Sequence, residues 1–301
     1  MNIKKILPDL VSAYLPLRNR QAHKGDFGRV LIVAGSRTMC GAGFLCAKSA
    51  LTAGAGLVFW ALPASMQPYF AAALPEVITL PLPETQTGEI DISALDILKK
   101  YIKEKRISVA VIGMGLGKSP LIYPFLTQLT VPTLADADAL NELAAEKTDF
   151  FAVDFSRCVF TPHAGEMARL SGGAIAGSPQ GRAEQVRMLA DKTKGVAVLK
   201  GADTLVCGGV EIYQNTTGNS ALAKGGAGDV LSGIIAGLWA QLGTANGFDK
   251  NSALKAALCG VYLHGLAGDL AASARSEYAV LAQDIIAHLP QAFLSLKTGK
   301  L

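Results

Sequence analysis

Three glycines fall within four positions in Asn219-Ser220-Ala221-Leu222-Ala223-Lys224-Gly225-Gly226-Ala227-Gly228-Asp229, a run that leads straight into the apolar stretch VLSGIIAGLWAQL. Glycine is the costliest residue to order, so bare backbone here implies close approach by another group. At a helix N-terminus the amides of Gly226 to Asp229 lack carbonyl partners and form a hole suited to phosphate oxygens. Asp229 falls in the first helical turn, where a carboxylate is favourable simply as a cap. Beside a phosphate, however, a carboxylate is repelled unless it acts, and the action that fits is general base catalysis for a hydroxyl attacking phosphorus.

A second glycine cluster, Gly113-Met114-Gly115-Leu116-Gly117-Lys118-Ser119, follows the strand-like VAVI. It fails as a phosphate loop, because the required first glycine would stand at Ile112. It also fails as a dinucleotide fingerprint: Lys118 occupies the place of the third glycine, and no acidic residue is evident at the end of an appropriately placed next strand. What remains is a turn whose backbone a ligand can approach, with a plain tight turn as the equal alternative.

These loops need a frame to hold them. Short apolar runs end at Gly, Pro, Asp or Ser clusters at 29–34, 57–62, 77–80, 109–112, 133–135 and 157–160, and stretches of helical length stand between them at 42–53, 65–74, 92–103 and 120–129. That order predicts an α/β fold with a doubly wound, mainly parallel sheet flanked by helices, and ligands at the carboxyl ends of the strands. Closely spaced strands at 196–200, 204–207 and 211–214 predict an antiparallel extension, followed by helices over 228–242, 251–272 and 281–289. No linker or repeat divides residues 1–301, which are read as one domain.

Composition narrows the function classes. Half the residues are apolar and 17% are charged, which excludes a disordered chain. The net charge of +4 is scattered, which favours small anionic ligands over nucleic acid. Five dispersed cysteines without a CxxC pair point to a reducing cytoplasm, with neither a disulfide framework nor a zinc site. The run from Ser49 to Pro75 carries no charge and is long enough to span a bilayer, but its glycines and prolines cut it into helix, strand and helix pieces. No membrane role is expected, and the N-terminus does not read as an export signal.

The segment GNSALAKGGAGDVLSG resembles the anion hole and catalytic aspartate of ribokinase-like enzymes, in the version found in the NAD(P)H-hydrate dehydratases. Four further blocks are similar to that family and come in its order: HKGDFGRVLIVAGS (23–36), LADADALN (134–141), TPHAGEMARL (161–170) and VLKGADTLV (198–206). The resemblance spans roughly residues 20 to 290. It departs at Met114 and Ala164, where the family usually has proline; these changes loosen turns without removing a polar group.

The resemblance implies a ribokinase-like fold and an ADP-dependent dehydration of the S epimer of NAD(P)H hydrate, giving NAD(P)H, AMP and phosphate. It implies Asp229 as the catalytic aspartate, also touching substrate, with Ala42, Gly115, His163 and Glu166 in the substrate site. Lys200, Gly201, Ala202, Asp203, Thr204, Gly226 and Gly228 would hold the nucleotide. Related kinases use an acidic residue at the Glu166 position to organise water and Mg²⁺, so Mg²⁺ is the implied cofactor and Lys224 a further counter-charge to phosphate. Taken singly, His163 reads first as a buried histidine, Glu166 as a first-turn charge and Lys200 as a strand-end charge, and it is the motif context that reverses this. The family also implies a homo-oligomer such as a tetramer, a cytoplasmic location, and an epimerase on a separate chain, since 301 residues leave no room for a fused one. The alternatives are an ATP-dependent kinase of a small alcohol, such as a sugar or vitamin precursor, and a nucleotide-binding regulator without catalysis. The His163 block weighs against the first and Asp229 against the second.

Overall fold

The computed structural model describes residues 3–146 and 153–298. Among the described residues ten strands form one sheet: β1 (Ile3–Lys5), β2 (Arg29–Val33), β3 (Leu57–Pro63), β4 (Ile78–Leu82), β5 (Val109–Ile112), β6 (Thr133–Ala135), β7 (Cys158–Phe160), β8 (Val196–Leu199), β9 (Leu205–Cys207) and β10 (Ile212–Gln214). Their order is β1-β10-β9-β8-β7-β6-β5-β2-β3-β4. Pairing is parallel from β4 through to β8 and antiparallel across β8-β9-β10. The chain winds outward from β2 to β4, then returns to the other side of β2 as β5. The switch point therefore lies between β2 and β5, where ligands gather in such sheets.

The helices are α1 (Pro8–Tyr14), α2 (Gly41–Thr52), α3 (Gln67–Ala73), α4 (Ala94–Lys105), α5 (Ile122–Gln128), α6 (Asp138–Ala145), α7 (Ala164–Ser171), α8 (Pro179–Thr193), α9 (Ala227–Asn246), α10 (Lys250–Arg275) and α11 (Ala282–Thr298). They cover both faces of the sheet, which is why β2, β5 and β8 are apolar without alternation. Val30 and Ile32 face a core built with α2, α9, α10 and α11, while Leu31 and Val33 face a second core built with α4 to α8.

On the first face α2 lies almost against the backbone of α9. A Cβ at Gly233 would stand 2.0 Å from Ser49 Oγ and 2.2 Å from the Cys46 carbonyl, so only glycine permits the crossing. The contact carries the N-terminal ends of both helices toward the carboxyl edge of the sheet. Leu45 of α2 would touch a Cβ at Gly226, immediately before α9, at 2.7 Å.

The strands expected from the sequence appear within a residue or two. Four helices, α1, α6, α7 and α8, and one strand were not assigned there. That strand, β1, is three residues long, too short for a period, and pairs parallel with β10 beyond the antiparallel extension. The last helix runs past Pro290 to Thr298. Ile285, Ile286, Leu289, Ala292 and Leu296 keep a buried stripe across the proline, and that burial outweighs the lost backbone bond. The uncharged run 49–75 is the end of α2, β3 and α3, and among the described residues no helix is long and apolar enough to cross a membrane.

Candidate active site

The glycine loop after β5 is knitted to the turn between β6 and α6. The Asp138 amide donates to the Gly113 carbonyl at 3.2 Å, and the Gly117 amide donates to Asp138 Oδ2 at 2.8 Å. Gly113 has φ 123°, and a Cβ there would lie 1.9 Å from the Asp136 carbonyl oxygen. A Cβ at Gly115 would meet the Met39 carbonyl at 2.6 Å and Ala42 Cβ at 3.1 Å. Gly115 and Ala42, far apart in the chain, are thus neighbours on the switch-point edge. Met114 is buried and its carbonyl accepts from the Gly35 amide at 2.9 Å, so tertiary contacts hold the turn that proline would have stiffened.

Asp136, at the carboxyl end of β6, corrects the expectation that no acidic residue ends the next strand after the glycine turn. It is 1% exposed, its Oδ1 accepts from Lys200 Nζ at 2.5 Å and its Oδ2 from Ser232 Oγ at 2.7 Å. A carboxylate so occupied is not a free ribose ligand, and the fingerprint still fails at Lys118. The signal was present in LADADALN, but which of its two aspartates turns inward depends on the bend at Ala137, a non-glycine residue with φ 53°.

His163 is the N-cap of α7. Its Nδ1 accepts from the amides of Gly165 at 3.0 Å and Glu166 at 3.3 Å, while Glu166 Oε2 accepts from the His163 amide at 2.7 Å, a reciprocal capping box. The ring is half-exposed, not the buried histidine of the bland reading. Burial first, then Lys200 and Arg169, lowers its pKa, so it is neutral at pH 7 with the proton on Nε2, 3.3 Å from Glu166 Oε1. Ala164 takes the first helical position, where a proline would have cost no hydrogen bond, so that departure is harmless here. Capping and substrate contact separate by substitution. His163→Ala is expected to lose about 1 kcal/mol of stability from the cap alone, whereas His163→Asn keeps an acceptor for the helix amides. If the ring contacts substrate, His163→Asn raises KM while melting stays near wild type; unchanged KM in both variants would reduce His163 to a cap.

Lys200 sits after β8, 17% exposed, between Asp136 and Glu166, whose Oε2 is 3.9 Å away. Burial works against its charge, but Asp136 and Glu166 outweigh that and its pKa is raised. It is therefore no strand-end surface charge. Glu166 is 5% exposed, and its pKa is pushed up to about 7 by burial, with Lys200 opposing and Asp136 adding. Asp229, in the first turn of α9, is likewise raised to about 7: burial leads, Asp136 adds to it, Lys200 opposes and Asp138 adds. Three carboxylates share one ammonium, so negative charge is in surplus.

The residue capping α9 is Gly226, which has no side chain to cap with, so Asp229 is not engaged in a capping box. The Ala227 amide donates to the Lys224 carbonyl at 3.3 Å. Among the described residues this leaves the amides of Gly226, Gly228 and Asp229 without a carbonyl partner, three of the four expected. Lys224 does not face it. Its ammonium is held by the carbonyls of Tyr278 at 2.5 Å and Val280 at 2.8 Å, a long-range contact no local pattern shows. Beside the hole opens a cavity of about 520 Å³, lined by Lys200, Gly201, Ala202, Asp203, Thr204 and Gly228 together with Asn215, Thr217, Leu222, Leu231 and His264. Gly226 is not part of that lining. The last five were not anticipated, because they meet only when β10, α9 and α10 are brought together. His264 is 8% exposed with its pKa lowered to about 4, chiefly by burial.

A family model described as NAD(P)H-hydrate dehydratase matches residues 30–291. The chain belongs to the NAD(P)H-hydrate dehydratase family. Members of this family among curated proteins include a bifunctional NAD(P)H-hydrate repair enzyme of Moorella thermoacetica, 42% identical over 94% of this chain and 52% of that protein. The chain thus spans about half the length of the first curated relatives it matches. An ADP-dependent (S)-NAD(P)H-hydrate dehydratase of Listeria monocytogenes is 32% identical over 96% of this chain and 95% of its own. In structure, an ADP/ATP-dependent NAD(P)H-hydrate dehydratase of Bacillus subtilis, co-crystallised with ATP/Mg²⁺, superposes with a TM-score of 0.78 at 27% identity, covering 98% of this chain and 99% of that one. The fold of this dehydratase-family chain is ribokinase-like.

Proposed function

We propose that this chain dehydrates the S epimer of NAD(P)H hydrate to NAD(P)H, with ADP as phosphoryl donor and AMP and phosphate as products. The observation that carries the reading is one edge of the sheet holding together a carboxylate of raised proton affinity, Asp229, a three-amide anion hole with its cavity, and the Ala42–Gly115 pair. The nucleotide lies in the cavity against Lys200 to Thr204 and Gly228, with Gly226 shaping the turn above. The hydrated nicotinamide lies toward Ala42, Gly115, His163 and Glu166.

Asp229 takes the proton from the hydroxyl on C6 of the hydrated ring as that oxygen attacks the β-phosphorus of ADP and the bond to the AMP oxygen breaks. The phosphate ester then leaves as phosphate, driven by the lone pair of the ring nitrogen, and the resulting iminium loses a proton from C5 to water, so that the C5–C6 double bond returns. The protein contributes positioning and charge stabilisation.

The surplus of carboxylate charge beside an anion hole fits a divalent cation that arrives with the phosphates, since Mg²⁺ needs few protein ligands and keeps its waters. Glu166 would reach it through water, because both its oxygens already face His163. Mg²⁺ would supply neutralisation of the phosphate charge. We assign the chain to the cytoplasm on its free cysteines, read residues 1–301 as one catalytic unit, and expect a homo-oligomer with an epimerase acting on the other epimer.

The test is recovery of reduced-nicotinamide absorbance when protein, hydrated cofactor, Mg²⁺ and ADP are combined. ADP is expected to support turnover much better than ATP. A clear preference for ATP would overturn the donor and leave the reaction, whereas phosphorylation of a small alcohol with no absorbance recovered would put the kinase reading in its place.

A further inference from the structure

Asp136 is a deeply buried carboxylate at the site, and the reaction as drawn does not use it. Its three donors come from different parts of the chain: Lys200 Nζ from the loop after β8, Ser232 Oγ from α9, and the amide of Ala137 at 2.9 Å from its own turn. A Cβ at Gly228 would stand 3.6 Å from Lys200 Nζ and 3.9 Å from Asp136 Oδ2, so the ion pair forms the floor under the anion hole. The Asp136 turn has no room to retreat, because its carbonyl is where a Cβ of Gly113 would be.

We propose that Asp136 is a positioning residue, whose carboxylate holds the Lys200 ammonium and the start of α9 at one spacing beneath the anion hole and acts by its charge on Asp229. The inference rests on the reading of Asp229 as general base. Drawing Lys200 toward a bound phosphate would strip a buried carboxylate of its counter-charge, which is costly, so Lys200 meets the nucleotide as half of an ion pair. Asp229 then faces an ammonium already paired, which lowers its affinity for a proton, and a second carboxylate, which raises it. The charged and titratable groups coupled to Asp229 are Asp136 and Asp138 on the β6–α6 turn, Lys200 after β8 and Cys46 on α2. After burial, Asp136 has the largest influence among them.

Asp136→Asn separates charge from shape. The amide oxygen can still accept from Ala137 and Lys200, and the amide nitrogen can donate to Ser232. The acid limb of kcat/KM is expected to move about one pH unit lower, so that at pH 6 the variant retains about five times more of its own plateau activity than wild type. The Asp229 carboxyl, followed by ¹³C NMR in nucleotide-free protein, should titrate lower by the same amount. Ser232→Ala, which keeps the charge, should leave both readouts in place. An unmoved Asp229 titration in Asp136→Asn, or an equal shift in Ser232→Ala, would overturn the proposal. If Asp229 proves not to be the base, turnover will survive its replacement, while the NMR titration still tests Asp136. Should Asp136→Asn fail to fold, Lys200→Gln must move the Asp229 titration upward, and absence of that shift also overturns the inference.

Discussion

Asp229→Asn is expected to cut dehydratase turnover by a factor of about 10² to 10⁴, the usual cost of removing a general base, without loss of fold. Asn keeps the size of the side chain, and because Gly226 is the cap of α9, no capping bond to the Asp229 side chain is at risk. The variant removes one of three carboxylates gathered around Lys200, so melting temperature should hold or rise and ADP should bind as well or more tightly. In wild type the same group predicts the pH profile. With its pKa raised to about 7, Asp229 is protonated and inactive at low pH, so kcat/KM should fall as pH drops through about 7. Turnover, ADP affinity and melting on one preparation decide it. Near-normal turnover would remove Asp229 from the chemistry.

Gly113→Ala is expected to be the most damaging single methyl at the site, costing about 3 to 5 kcal/mol through left-handed backbone strain and overpacking together. Its φ is 123°, and the new Cβ would press 1.9 Å against the Asp136 carbonyl and 2.7 Å against Ala139 Cβ. The β6–α6 turn would have to shift, carrying Asp136 and with it Lys200, so turnover should collapse as stability falls. Gly117→Ala is the control. Gly117 also has positive φ, 65°, but its Cβ would approach only the flexible Glu89 side chain, at 3.3 Å, so the cost should be nearer about 1 kcal/mol. Denaturant unfolding of both variants compares them. Equal losses would mean that backbone conformation, not the contact with the Asp136 turn, makes glycine necessary at 113.

Much of this architecture is legible in the amino-acid sequence. The alternation of buried strands and helices along 29–160 reflects apolar periodicity, which local sequence carries directly, and the parallel sheet with its antiparallel extension followed from it. The glycine run ending at Asp229 announced a helix N-terminus open to an anion, because glycine's conformational cost and the unpaired amides are local properties. The structure brings the blocks at 134–141, 161–170 and 198–206, far apart in the chain, to one edge, where Asp136, Glu166 and Lys200 meet.

What only the tertiary structure decided was which groups face one another. Lys200 and Asp136 lie 64 positions apart, and Lys224 and Tyr278 lie 54 apart; two lysines near one loop therefore differ, one turned into the carboxylate cluster and the other tied to distant carbonyls. Met114 and Ala164 looked like weakened turns but are held by burial and by a capping box. The raised proton affinities of Asp229 and Glu166 likewise depend on burial and on Asp136. Sequence determines conformational preference residue by residue, whereas desolvation and Coulomb energy depend on distances across the fold, which exist only once the sheet has set its strands side by side.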